Sequence, residues 1–173
     1  MAPTHPNEGG GVDTKVQSAL NEQIRAELHS AYLYLGMSAH FSEQNFDGFA
    51  HWMKLQADEE VEHAMKLYAH VLRCGGHIEL KAVDAPPKKL GSALKVFEAA
   101  LAHEKKITGM IHKLFDLARE KGDYATELEL QWFVNEQVEE EENAGRAVEQ
   151  LKMAGDSTAA LLMLDHRFGE RGG

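Results

Sequence analysis

A carboxylate in the middle of an apolar helix face is expensive to bury. This chain carries one in each of its four long helical patterns. The pattern from Phe46 to Cys74 reads Phe46, Phe49, Met53, Gln56, Glu60, His63, Leu67, Val71, Cys74. Every step is three or four residues, so these side chains share one face of an α-helix. The ends of the stripe are apolar and its centre is a glutamine, a glutamate and a histidine. Glu60 and His63, three residues apart, converge on one point above the helix. A cation at that point would resolve the cost.

The other three patterns repeat the feature. The first reads Val16, Leu20, Ile24, Glu27, Ala31, Tyr34, Leu35, Ser38, Phe41. The third reads Leu94, Phe97, Leu101, Glu104, Ile107, Thr108, Ile111, Leu114, Ala118, and the fourth Leu130, Phe133, Gln137, Glu140, Ala144, Val148, Leu151. In a helix bundle such centres face one another. Left bare, the acids are driven towards protonation by desolvation and mutual repulsion; two cations between them balance the charge. Glutamate oxygens with one imidazole form a mainly hard donor set, better suited to iron or manganese than to copper or thiolate-bound zinc. A shared glutamate would hold two ions side by side. Two adjacent ferrous ions can give two electrons to dioxygen, so the inferred chemistry is redox; ligand type alone leaves hydrolysis at a dimetal site open.

A lone Glu-x-x-His on a helix is usually solvated surface, and it occurs once here. The weight rests on the same interruption in all four long helices. Glu141 and Glu142 read as solvated, while Glu59, Glu136 and Glu139 border the stripes as accessory ligands. By spacing alone Tyr34 and Trp132 read as core. The remaining histidines (His29, His40, His51, His70, His77, His103, His112 and His166) read mostly as surface.

The order of elements follows from breakers and caps. Residues 1–11, with two prolines and three consecutive glycines, read as a flexible tail. Asp13 or Thr14 can cap the first helix. Glu43-Gln44-Asn45 is a short turn, which makes the first two helices antiparallel neighbours. Gly75-Gly76 stops the second helix. From His77 to Gly91 there is no helical period. An extended stretch of about 15 residues covers roughly 50 Å, and a helix of about 29 residues is roughly 43 Å long. This segment can therefore return the chain along the whole bundle, so that the third helix lies parallel to the second. Ser92 caps the third helix, Gly122-Asp123 ends it and caps the fourth, and a short fifth helix spans about Thr158 to Phe168. The expected organisation is one all-α domain over 12–169, with 170–173 as a flexible C-terminus.

Composition excludes several functions. The formal charge of −10 is a poor basis for nucleic-acid binding, which needs Lys and Arg at phosphates. No run of eighteen apolar residues exists, so no membrane span is expected. The N-terminus lacks the apolar segment of a secretory signal, and the one cysteine, Cys74, allows no intrachain disulfide. These features point to a cytoplasmic protein.

The stretches Asn21-Glu-Gln-Ile-Arg-Ala-Glu27-Leu-His-Ser-Ala-Tyr-Leu-Tyr34, Asp58-Glu59-Glu60-Val-Glu-His63, His103-Glu104 and Leu130-Gln-Trp-Phe-Val-Asn-Glu136-Gln137-Val-Glu-Glu140 together resemble the ferritin family, in particular its bacterial non-haem type. The resemblance runs from about residue 13 to 168. It implies a four-helix bundle with a long crossover between the second and third helices, a short fifth helix, and a shell of 24 subunits. It implies that Glu27, Glu60 and His63 hold one iron, and that Glu60, Glu104 and Glu140 hold a second with Glu60 bridging. Gln137 would lie beside the pair and contact the oxygen ligand, and Tyr34 matches the family's tyrosine next to the centre. Glu59, Glu136, Glu139 and Glu140 match the third iron position of the bacterial type.

The implied activity is ferroxidase: Fe(II) is oxidised by dioxygen or hydrogen peroxide and stored as a hydrated ferric oxide. Haem is not expected, because Val61 stands where bacterioferritins place the haem methionine and Gln137-Val-Glu-Glu140 replaces their second Glu-x-x-His. The single cysteine separates the chain from rubrerythrins. The fifth helix and a tail free of Lys and Arg separate it from twelve-subunit mini-ferritins. An oxygenase acting on an organic substrate would need an apolar pocket beside the metals, and a cage subunit that only nucleates mineral would have lost centre ligands.

Overall fold

A computed structural model describes residues 12–171; the tail expected at 1–11 lies outside these described residues, as do Gly172 and Gly173. Five helices follow in order: α1 (Thr14–Glu43), α2 (Asp47–Arg73), α3 (Ala93–Glu120), α4 (Tyr124–Ala154) and α5 (Thr158–Gly169). No strand occurs among the described residues. The all-α bundle with a short fifth helix is therefore what forms, with boundaries within one residue of those expected for α2 and α5.

Every helix start but that of α2 has a capping side chain that meets otherwise unpaired backbone N–H groups. Asp13 Oδ1 accepts from Lys15 and Val16 N, Ser92 Oγ from Lys95 N, Asp123 from Thr126 N and Ser157 from Ala160 N. Helix α2 lacks such a cap, but Phe49 N donates to Asp165 Oδ1 of α5 at 2.8 Å. The turn between α1 and α2 places Asn45 at φ 61°, the left-handed conformation that asparagine tolerates.

The apolar stripes do not make one continuous core. At one end Phe41, Phe49, Phe97, Val148, Leu151 and Phe168 cluster with their neighbours. At the other, Val16, Leu20, Leu67, Val71, Ile111, Leu130 and Phe133 do so. The first cluster joins the end of α1, the starts of α2 and α3 and the end of α4. The second joins the opposite ends of the same helices. Helices α2 and α3 therefore run parallel, as the length of the connecting segment allows. That segment is pinned along α1: the Asn21 side-chain amide donates to His77 O and accepts from Glu79 N, both at 3.0 Å. Pro86 packs so closely over Gly36 that an added Cβ would lie 3.0 Å from its ring. Between the two clusters lies the layer of polar residues.

Seven of seven stripe positions on α4 are buried. On α1 the stripe needs one correction. Leu35 is 45% exposed, because it follows Tyr34 by one residue and turns about 100° away from the buried face. Four histidines also depart from the surface reading; His29 and His40 are half-buried. His70 is buried with Nε2 2.9 Å from Thr126 Oγ1, and His103 is half-buried with Nε2 2.7 Å from Ser30 Oγ.

Candidate metal centre

The polar layer receives one residue or more from each long helix. Glu27 comes from α1, Gln56, Glu60 and His63 from α2, Glu104 from α3, and Gln137 and Glu140 from α4; all are at least 95% buried. Ligand atoms of Glu27, Glu60 and His63 lie within 4.8 Å of one another, and so do those of His63, Glu136 and Glu140. His63 Nδ1 is 3.5 Å from Glu60 Oε2, and His63 Nε2 is 3.9 Å from Glu136 Oε1. Burial holds the His63 imidazole near pKa 4, with the Lys66 charge adding to the effect. These contacts are thus between carboxyl groups and a neutral imidazole whose lone pair is free to bind a metal.

The carboxyl groups are under matching strain. Glu27 is pushed up to about 7, mainly by burial, against a lowering hydrogen bond from Gln23. Glu140 is pushed up to about 8, again mainly by burial, with the Glu104 charge next. Glu60 is raised well above the ordinary carboxyl range, through burial and then the charges of Glu27, Glu104 and Glu140. Glu104 is raised by burial although Tyr34 and Gln137 donate to it. Two oxygens in the layer, Glu27 Oε2 and Glu60 Oε2, are buried without any hydrogen-bond partner. A buried carboxylate oxygen without a donor is costly. A cation shared by both oxygens would meet that cost, and a hard donor set of this kind fits iron.

The remaining expected residues hold the shell of the site. Tyr34 O–H donates to Glu104 Oε1. The Gln137 amide nitrogen lies 3.2 Å from Glu104 Oε2, 3.3 Å from Glu104 O and 3.2 Å from Thr108 Oγ1. Glu104 is close enough to raise Glu60, yet it is directed by these two donors and belongs to neither three-residue group. Of the accessory acids, Glu136 sits with His63 and Glu140 and is raised by burial and then by Glu139 and Glu59. Glu139 is exposed. Glu59 is half-buried and accepts two hydrogen bonds from Arg171, at 2.8 and 3.1 Å.

Three supporting residues, Gln23, Thr108 and Arg171, escape sequence reasoning, and for a fourth, Gln56, the stripe shows the inward position but not the partner. Gln23 Nε2 donates to Glu27 Oε1 at 2.8 Å from one turn earlier on α1; its i, i+4 spacing is a usable signal. Gln56 stands in the α2 stripe and donates from Nε2 to Glu140 Oε2 at 2.8 Å. Thr108 supports Gln137 and donates to Glu141 Oε1 at 2.6 Å. Arg171, placed by sequence in a flexible end, leaves no signal, because its partners lie more than a hundred residues away.

Known proteins share this fold and much of this sequence. The ferritin family model, a ferritin-like domain, matches residues 17–154. A bacterial non-heme ferritin of Bacteroides fragilis is 41% identical over 160 residues, covering 92% of this chain and 99% of its own. One of Staphylococcus aureus is 36% identical over 153 residues, covering 88% and 92%. The crystal structure of an open-pore ferritin from the hyperthermophilic archaeon Archaeoglobus fulgidus superposes with a TM-score of 0.92 at 43% identity, covering 93% of this chain and 99% of that one. A humanized archaeal ferritin superposes with a TM-score of 0.92 at 42% identity, covering 94% and 100%.

Proposed function

The chain belongs to the ferritin family, and we propose that it is an iron-storage ferroxidase of the bacterial non-haem type. Its substrates are Fe(II) and dioxygen or hydrogen peroxide. One observation carries the reading: Glu27, Glu60 and His63 converge within 4.8 Å in a layer closed above and below by apolar side chains, and two of the carboxylate oxygens there lack any partner.

In this reading Glu27, Glu60 and His63 take one ferrous ion, and Glu60, Glu104 and Glu140 take the other. Each iron gives up one electron. Dioxygen accepts both with two protons and leaves as hydrogen peroxide, and ferric iron passes inward to a hydrated oxide. Anionic oxygen donors favour the ferric product over the ferrous substrate, so the acids help to drive oxidation. Tyr34 and Gln137 hold Glu104 against the repulsion of its neighbours. Gln56 does the same for Glu140. The apolar clusters exclude water and strengthen these interactions. Storage implies a homo-oligomeric shell, for which 24 subunits is the proposed size, in the cytoplasm. No helix among the described residues is long and apolar enough to cross a membrane.

The test is aerobic mixing of metal-free protein with ferrous iron, for the parent and for Glu60→Ala and His63→Ala. Initial oxidation should fall by at least tenfold in both variants. Equal rates in all three would overturn the centre. Native size measurement on the same samples tests the shell.

A further inference from the structure

Just beyond α5, the Arg171 side chain reaches back to the acid flank of the centre. Helix α5 is seated there by Phe168, which packs among Phe49, Trp52 and Phe97, and by the close approach of Gly48 to Gly169. His51 Nε2 lies 3.0 Å from Arg171 O, and the guanidinium lies 4.8 Å from the Trp52 ring centroid. From that seat Nη2 donates to both oxygens of Glu59, and Nη1 donates to Gln56 Oε1. Gln56 is wholly buried and spends its other end on Glu140 Oε2. A tethered cation thus ties off one accessory acid directly and turns a ligand of the centre through one buried amide.

We propose that Arg171 is a specificity-determining residue that sets how many metal ions each subunit holds, because a further ion can take Glu59 as a ligand only by displacing the guanidinium. The inference rests on the ferroxidase reading of the adjacent pair of sites. Geometry makes the competition direct. The same two Glu59 oxygens would serve a metal, and Glu59 is close enough for its charge to act on Glu136 and Glu140, which gather with His63. An arginine cannot be switched off by pH, so the competitor is always charged. The pair is only partly buried, at 25% and 41% side-chain exposure, and partly exposed ion pairs are weak. Arg171 is therefore a threshold, overcome as metal concentration rises, rather than a block. When it leaves, Gln56 loses the acceptor bond that fixes its amide, and Glu140 is free to turn towards the incoming ion.

The test uses the assembled, metal-free full chain and Zn(II), a redox-inert ion of the same charge as Fe(II). Calorimetric titration and anomalous diffraction would count and place ions in the parent, Arg171→Gln and Arg171→Lys. The ion at Glu27, Glu60 and His63, none of which Arg171 touches, should bind alike in all three. A further ion at Glu59 should bind about three- to tenfold more tightly in Arg171→Gln. Arg171→Lys, which keeps the charge but not the two-pronged contact, should fall between. In the parent loaded to saturation, Arg171 should be off Glu59. Equal or weaker binding of the further ion in Arg171→Gln, with the ion at Glu27, Glu60 and His63 intact, would overturn the role of Arg171 alone. So would Glu59 ligating metal while still held by Arg171. Failure of the parent to bind the first two ions would take down the ferroxidase reading and this inference with it.

Discussion

The Tyr34 hydroxyl, itself fully buried on α1, donates to Glu104 Oε1 on α3. The bond joins two helices at the level where the apolar core gives way to carboxylates. The phenol is raised above its ordinary pKa by burial and by the Glu104 charge, so it stays protonated and remains a donor throughout the physiological range.

Removing that donor should be felt in both stability and chemistry. Tyr34→Phe leaves Glu104 with Gln137 as its remaining side-chain donor and should cost about 1 to 3 kcal/mol in denaturant unfolding. Initial iron oxidation should slow severalfold while the affinity of the Glu27–Glu60–His63 position for Zn(II) stays within twofold. Loss of Zn(II) at that position would mean that Tyr34 shapes the whole layer.

On the proposed function the acids serve metal binding rather than folding, so their removal should separate the two. Glu60→Gln takes away a carboxyl group raised by burial and by three neighbouring acids. The metal-free variant should be at least as stable as the parent near pH 7.5, by up to about 2 kcal/mol. Saturating Zn(II) should raise the melting temperature of the parent but not of the variant. A metal-free Glu60→Gln protein markedly less stable than its parent would contradict this account of the layer.

The pH dependence has a definite sign. Glu27 and Glu140 have folded-state pKa values of about 7 and about 8 against an ordinary 4.5. Their contribution to stability is complete below about 4.5 and is lost as pH rises through 7 to 8. His63 is depressed to about 4 from 6.5, so its contribution is present above 6.5 and lost as pH falls towards 4. Between pH 6.5 and 8 only the acids change. Metal-free protein should lose stability over that window, by about 1 kcal/mol from Glu27 and about 2 kcal/mol from Glu140. Metal binding should release protons at pH 6.5 and progressively fewer above 8. Titration in two buffers with different ionisation heats measures the count; no proton release at pH 6.5 would refute the assignment.

Helix α5 is docked through a glycine. A Cβ on Gly48 would lie 1.6 Å from Asp165 O, a backbone atom that cannot swing aside. Gly48→Ala should displace α5, with a cost of about 1 to 3 kcal/mol or more and faster amide exchange over 158–169 than over α1 to α4. Gly145→Ala, which meets nothing within 4 Å, should be neutral or stabilise α4 by about 0.5 to 1 kcal/mol.

Periodicity and chemistry together make much of the centre legible in the amino-acid order. Glu27, Glu60, His63, Glu104, Gln137 and Glu140 each occupy the middle of a stripe whose flanks are apolar, and a three-to-four residue step leaves such a residue only one direction to face. Glu59, Glu136 and Glu139 are harder to place, since each lies at the margin of a stripe, where a rotation of about 100° per residue decides between centre and solvent. Glu136 turns in to His63, Glu139 turns out, and Glu59 meets Arg171.

The order of residues thus determined the helices, their caps, the long return segment and the inward set of acids, because all of these follow from local spacing and from the cost of burying charge. Tertiary structure alone decided which donor meets which acid across helices. Gln56 pairs with Glu140 across 84 positions, Tyr34 with Glu104 across 70 and Arg171 with Glu59 across 112. Such contacts depend on the angle and depth at which helices pack, and no local pattern in the chain encodes either.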